Sequence, residues 1–370
     1  MNGCGTAATF EAIIIPGSRE AQMSYPAKKL SVLSISLVMT LITLLLSSCD
    51  MPQKDAIGYD HVITVLASEE LWEICEPILK ESLGKTYPTP AAENLYQFRR
   101  IGASDLQANI MNKNILILST QKAESAISAQ VQSMLPDTLV TRIRSSKNYI
   151  YMRGDAYAKG QALTVVLGKN VADMRRKLKT NQDKLVDFYD FKFFERMTAF
   201  VYRAEEQVEL AQKFYDQHGY YMRMMHTFVE IENNFKKRMV WVGRDFPYRW
   251  LVTSWEPASD DTTSLEEATL DLLEDTFGNR LRTVRLNKEY VQSEEMWFKE
   301  YLVIKYHGLW ESREEVKGGP FLAYGFYEPS SDRIYLLTGL VHAPDKAKLP
   351  YLRQLETIIR TFDTKVYSEE

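Results

Sequence analysis

The sequence predicts an α+β protein: an N-terminal α/β layer with a long helical segment, then a C-terminal antiparallel sheet packed with helices. Three observations predict it. Short apolar runs alternate with helical periodicity in the first half, in the order β-α-β-α-β. A zone from about Asn170 to Gln217, rich in Lys, Glu, Leu and Phe, reads as helix. Beyond it, aromatic and β-branched runs are separated by Gly, Pro and Ser in the order β-β-α-β-β-β-α.

Each element has its own warrant. "HVITVLAS" (61–68) is a strand, and "SEELWEICEPILKESL" (68–83) is a helix. In that helix Leu71, Trp72, Cys75, Ile78 and Leu79 share one apolar face, Ser68 stands at the N-cap, and Glu69 and Glu70 fall in the first turn. "LYQFRRIGA" (95–103) is a second strand, "SDLQANIMN" (104–112) begins like a capped helix, and "NILILST" (114–120) suits a buried strand. "NYIYMRGDAYAKGQALTVVLG" (148–168) reads as two strands around a turn. In the second half, "FVEIENNFKKRMVWVGRD" (228–245) and "YRWLVTSWEP" (248–257) flank the polar turn Gly243-Arg244-Asp245. "DTTSLEEATLDLLEDTFG" (261–278) is a helix with a capping-box start, Thr263 or Ser264 followed by Glu266 or Glu267, and Gly278 at its end. "EMWFKEYLVIKYHGLWE" (295–311), "GPFLAYGFYEP" (319–329) and "RIYLLTGLVHAP" (333–344) are strands. "LPYLRQLETIIRTF" (349–362) closes the chain as an amphipathic helix, with Leu352, Leu355, Ile358, Ile359 and Phe362 on one face.

The amino terminus carries the clearest functional signal. Lys28 and Lys29 precede an uncharged apolar run from Leu30 to Leu46, the layout of an export signal. Leu46-Ser47-Ser48-Cys49 then matches the bacterial lipobox: an aliphatic residue, two small residues, and a cysteine. The Cys49 thiol is the nucleophile that takes a diacylglyceryl thioether, and the small residues let a peptidase reach the backbone before it. Two or three acyl chains make membrane binding persistent, at about 0.8 kcal/mol per buried CH2. The alternative is an uncleaved helical anchor; both readings put residues 50–370 outside the cytoplasm. Residues 1–22 fit no part of the signal, so Met23 is the expected start and 1–22 an upstream artefact. The expected organisation is a signal peptide over 23–48, a lipidated tether over 49–60, an α/β subdomain over 61–225 and an α+β subdomain over 226–366.

Composition narrows the function classes. The chain has 370 residues, a formal net charge of −4 and 25% charged residues mixed along its length. That is no basic nucleic-acid footprint, so no nucleic-acid partner is expected. The cysteines are Cys4, Cys49 and Cys75, and Cys75 belongs to a helix face as a buried thiol, so an exported chain folds without disulfides.

The second half carries a resemblance. "GLWESREEVKGGPFLAYGFYEP" (308–329) with "GLVHAPDKAKLPYLRQLETII" (339–359) resembles an uncharacterised family of envelope lipoproteins of Bacteroidota-type bacteria, a domain of unknown function. The triplet Gly308-Leu309-Trp310, the Gly318-Gly319-Pro320-Phe321 turn and the Tyr-Leu-Arg-Gln-Leu-Glu ending carry it, and the pattern extends to "HVITVLASEELWE". The resemblance implies a lipoprotein, in agreement with Cys49, and brings no activity or catalytic residues. At the level of fold alone, strands ending in Ala-Pro before a final helix are similar to the photosystem-II accessory protein PsbP and its relatives, whose domains bind and assist.

No phosphate loop, nucleophile elbow, paired metal-binding cysteines or HExxH occurs, so no catalytic residue, cofactor or metal is expected. "HGYYMRMMH" (218–226) offers soft ligands suited to Cu(I), yet Tyr220, Met222 and Met224 alternate with Tyr221, Arg223 and Met225 as a strand with Met in the core would. Gly318-Gly319 can form a backbone nest for anions or permit positive φ in a turn entering a strand, and the turn is the default. The carboxylate pairs Asp260-Asp261 and Glu314-Glu315 belong to solvated loops. Trp310, Gly318, Gly319 and Tyr324 form the candidate partner surface, because Trp and Tyr suit contact surfaces. The expected function is a lipid-anchored, non-enzymatic binding or assembly module with the membrane, through the lipid on Cys49, and an envelope protein as partners. An envelope hydrolase with an unrecognised site and a structural lipoprotein scaffolding a membrane complex are the alternatives.

Overall fold

The computed structural model describes residues 53–120, 126–258 and 264–365. Cys49, the signal, residues 1–22 and the Asp260-Asp261 pair lie outside the described residues. The fold is α+β, with an α/β region followed by a seven-stranded antiparallel sheet and helices.

The first sheet has the order β4-β1-β5-β7-β6. Its strands are β1 (Val62–Leu66), β4 (Gln97–Ile101), β5 (Asn114–Thr120), β7 (Ala162–Gly168) and β6 (Tyr151–Gly154). All neighbours run parallel except the β6–β7 hairpin. β5 and β7 are apolar on both faces because helices cover both sides, which is why they read as continuous hydrophobic runs. Helix α1 (Glu69–Ser82) starts where Ser68 Oγ accepts from the Leu71 amide at 3.4 Å, and it buries Leu71, Cys75, Ile78 and Leu79. Its core partners include Met174 and Leu178 of α5 (Val171–Thr180) and Leu185 and Tyr189 of α6 (Gln182–Val201). The opposite face of the sheet is covered by α3 (Ala126–Met134) and α4 (Asp137–Ser145), together with Leu106 of the single-turn helix α2 (Leu106–Asn109). The longer helix expected over 104–112 stops there because the Asn109 side chain turns back to the Asp105 carbonyl at 2.8 Å and β5 begins at Asn114.

The second sheet has the order β11-β12-β13-β14-β10-β9-β8 and is antiparallel throughout. It comprises β8 (Val229–Asn234), β9 (Met239–Arg244), β10 (Tyr248–Pro257), β11 (Val284–Phe298), β12 (Tyr301–Ser312), β13 (Gly318–Glu328) and β14 (Arg333–His342). Two runs that read as single strands each fold into a hairpin. "FVEIENNFKKRMVWVGRD" breaks at the charged turn before Arg238, and "EMWFKEYLVIKYHGLWE" breaks at Lys299; both residues hold positive φ. One face packs on α6, α7 (Val208–His218) and the C-terminal helix α9 (Leu349–Ile359). The other packs on α8 (Leu265–Asp275) and the π-helical turn Thr276–Arg280 that extends it. Ser264 and Glu267 close the α8 start as a reciprocal capping box, each side chain accepting from the other's amide at 3.2 Å.

One expectation changes, and one element is new. The tether expected over 49–60 is docked from Gln53 onward: the Ala56 amide donates to Lys159 O and the Ile57 amide to Met111 O, both at 2.9 Å. In addition, a short arm, β2 (Thr86–Tyr87) paired with β3 (Glu93–Asn94), leaves the first sheet and reaches the second domain. No helix among the described residues is long and apolar enough to cross a membrane.

Candidate functional site

Helix α9 builds the site by placing two charges beside its apolar stripe. Leu352, Leu355, Ile358 and Ile359 face the second sheet and are fully buried. Arg353 and Glu356, three residues apart, lie next to that stripe and are carried into the interior with it. Burial of such charges is tolerated only where partners meet them. Glu356 Oε1 accepts from Lys305 Nζ of β12 and from the Tyr324 hydroxyl of β13, each at 2.8 Å. Arg353 Nη2 donates to Asp190 Oδ1 of α6 at 2.7 Å, and the Tyr96 hydroxyl donates to the same oxygen at 2.7 Å. The Arg353 guanidinium lies 3.7 Å from the Phe193 ring centroid. Its Nε and Nη1 have no hydrogen-bond partner among the described residues, so this aromatic face is their principal contact.

The electrostatics follow from those contacts. Burial alone would raise the Glu356 carboxyl, but Lys305 and Arg353 outweigh it and hold the carboxyl down to about 2. Burial opposes the charge on Lys305, yet Glu356 outweighs that and keeps its ammonium protonated well above the ordinary lysine range. Burial pushes the Tyr324 hydroxyl upward, and the Glu356 charge adds to it, so Tyr324 remains a proton donor. The chain of charges is neutralised internally.

A cleft of about 490 Å³ opens beside this network, between the first domain and the start of α9. Its apolar walls include Leu95, Phe193, Met197, Leu349 and Pro350. Tyr59, Asp60 and His61 line one side and Arg353 the other. Burial lowers the His61 pKa against the opposing charges of Asp60 and Glu93, so its ring is neutral at neutral pH and can donate or accept. Asp60 is itself held by Lys113 Nζ and Arg196 Nε, both at 2.7 Å. Glu93 of β3 caps α9, accepting from the Lys348 and Leu349 amides at 2.7 and 3.1 Å. A mostly apolar cleft with a few fixed polar groups is the form of a ligand site. A second cavity, about 610 Å³, lies between α8 and the end of β10 and is lined by Glu256, Asp271, Asp275, Asp332 and Arg280. There Arg280 already joins Asp275 and Glu256.

The residues expected to form a partner surface do not form one. Trp310 is 1% exposed, donating from Nε1 to Val341 O at 3.2 Å and packing on Trp250. Tyr324 is fully buried. Gly319 is buried and Gly318 half-buried. Neither glycine has positive φ, which also overturns the turn reading. They are needed for close approach within the sheet: a Cβ on Gly319 would stand 2.0 Å from Val341 O, and one on Gly318 2.7 Å from Trp310 O. Gly318 O instead pairs with His342 Nδ1 at 2.8 Å. Tyr324 does enter the site, through its hydroxyl rather than through exposure. Lys305, Glu356, Arg353, Asp190 and His61 were missed; an Arg and a Glu three apart beside the apolar stripe of "LPYLRQLETII" were the available signal.

Most of the His/Met cluster is core. Tyr220, Met222 and Met224 are buried and alternate with half-buried neighbours, although the segment makes only one bridge, Tyr221 to Asp363, and is no ladder strand. His218 pairs with Asn233 at 2.9 Å and packs 4.9 Å from Trp255, while His226 is exposed. Among the described residues no group of three or more His, Cys, Asp or Glu is placed to hold a metal ion. Cys75 is a buried free thiol, and Glu314 and Glu315 are exposed.

No curated protein matches this chain. A crystal structure from Bacteroides thetaiotaomicron is 8% identical over 40% of this chain, with a TM-score of 0.26, and the match spans 46% of that protein. The Saccharomyces cerevisiae Ran-binding protein Mog1p is 10% identical over 40% of this chain and 91% of its own, with a TM-score of 0.28. At these scores neither likeness carries an argument. Residues 56–202 match the family model of a domain of unknown function, DUF8532, and residues 207–361 match a second, DUF4837, so each half of the described chain is similar to an uncharacterised domain family.

Proposed function

We propose that the chain is a lipid-anchored envelope protein that works as a non-enzymatic binding or assembly module, with the cleft between its two domains as the contact site. The observation that carries the reading is the cleft itself, with Phe193, Met197, Leu95 and Leu349 as apolar wall and His61 and Arg353 as fixed polar groups. The ion pairs around it support binding over proton chemistry. Of the polar lining, Arg353 is committed to Asp190 and Asp60 to Lys113 and Arg196, which fixes the shape of the wall. The lipobox cysteine Cys49 supplies the anchor.

The test uses the full-length chain in its envelope. A photocrosslinking residue at exposed Asn94, which lines the cleft, is expected to capture a discrete partner or ligand, while the same residue at Val316 captures none. Equal, nonspecific capture at both positions refutes the cleft as the contact site. Metabolic labelling with a palmitate analogue, lost in Cys49→Ala, reads the anchor separately.

A further inference from the structure

The docked segment from Gln53 to Tyr59 fixes more than the start of the fold. It runs across the ends of the first sheet at which the parallel strands begin. The Ala56 amide is bound to Lys159, just before β7, and the Ile57 amide to Met111, just before β5. The Lys113 amide donates back to Ile57 O at 2.9 Å, and Gln53 Nε2 donates to Asp155 O at 3.1 Å. Two large apolar side chains of this clamped segment are nonetheless exposed: Ile57 at 57% and Tyr59 at 74%. Lys54, Arg153 and Lys159 are exposed at the same end of the sheet, as are Asp55 and Asp155.

Asp50, Met51 and Pro52 alone separate Gln53 from Cys49. Four residue steps span at most about 14 Å of fully extended chain. A lipid on Cys49 therefore holds Gln53, and everything hydrogen-bonded to it, within that reach of the headgroups. We propose that the face formed by residues 53–59 with Arg153 and Lys159 lies on the bilayer. Ile57 and Tyr59 insert at the headgroup level, and the lysine and arginine stems lie along it with their charges in water. Gly58 and Tyr59 also line the interdomain cleft, so the cleft opens beside the lipid surface, while the ends of β1, β5 and β7 where the chain leaves the sheet point away from it. The occupant of this face is the lipid surface, and the inference rests on the anchor proposed above.

The experiment is depth-dependent quenching on the full-length lipidated protein in vesicles of phosphatidylethanolamine and phosphatidylglycerol. An environment-sensitive fluorophore is placed by Ile57→Cys, Tyr59→Cys or Lys169→Cys. Lys169 is an exposed residue just past the far end of β7. Cys75 is buried with its thiol pushed up to about 12, so it does not compete for the label. Brominated lipid is expected to quench the labels at 57 and 59, with a blue shift, and to leave the label at 169 unchanged. Equal behaviour of all three labels on a protein whose N-terminal peptide carries lipid by mass overturns the orientation while leaving the anchor standing. An N-terminal peptide without lipid overturns both.

Discussion

Replacing Glu356 by Gln tests whether the buried network on α9 is a source of stability. Gln keeps the shape and one acceptor oxygen but removes the charge that faces Lys305 at 2.8 Å and flanks Arg353. The carboxyl titrates at about 2 when folded against 4.5 as a free group. At about 1.4 kcal/mol per pKa unit, that difference corresponds to about 3 kcal/mol of stability for the ionised form. Removing one partner also leaves Lys305 with only the Glu294 carboxylate, at 4.0 Å, and loss of a partner costs roughly 3–5 kcal/mol in comparable buried pairs. The same interaction underlies both figures, so Glu356→Gln is expected to cost on the order of 3–5 kcal/mol near neutral pH. Because the carboxyl is more acidic folded than unfolded, its contribution is complete above about 4.5 and fades as the pH falls to about 2. Denaturant unfolding followed by tryptophan fluorescence, for wild type and variant across that window, should show a gap that narrows as the pH falls. Adding Lys305→Met to the variant should recover part of the loss by removing the weakly paired charge. A variant as stable as wild type at neutral pH, or a gap that stays constant through the acid window, refutes the reasoning.

Further outcomes follow from three single positions. Gly319→Ala drives a Cβ to within 2.0 Å of Val341 O in a three-strand contact, so it should destabilise by on the order of 3 kcal/mol or prevent folding. Gly278→Ala, where nothing lies within 4 Å, should unfold at the wild-type denaturant concentration; equal stability of both variants would contradict the close-approach argument. Burial places the Cys75 thiol at about 12, with Arg175 opposing weakly, so it should resist alkylation at mildly alkaline pH in the native protein and react fully in denaturant. Intact mass before and after unfolding measures it, and ready native labelling would show the helix face to be open.

Local rules made much of the fold legible. The Ser68 cap, the Ser264–Glu267 box, the buried alternation of Tyr220, Met222 and Met224 and the apolar stripe of α9 all depend on residues a few positions apart. Hairpins hidden inside long β-rich runs were less legible, because only a positive φ at Arg238 and Lys299, neither of them glycine, marks the break. The candidate site was illegible for a different reason. Lys305 meets Glu356 across 51 positions and Asp190 meets Arg353 across 163, and each side chain reads as an ordinary surface charge on its own element. Trp310 and Tyr324 misled in the opposite direction, since a polar tip on an aromatic ring serves a buried hydrogen bond as readily as an exposed contact.

The Glu93 cap on α9 has a temporal consequence. A carboxylate from the arm that follows the first helix fastens the start of the last one, and Asp190 fastens its middle. A chain made or moved from its N-terminus first must therefore wait for α9 before either contact closes. Until then the arm and the α6 face that receives Arg353 are both without their counterpart, and the cleft has no far wall. The cleft is thus complete only once α9 has docked: a product truncated before Leu349 retains both sheets' sequences yet lacks Leu349, Pro350 and Arg353 from its wall.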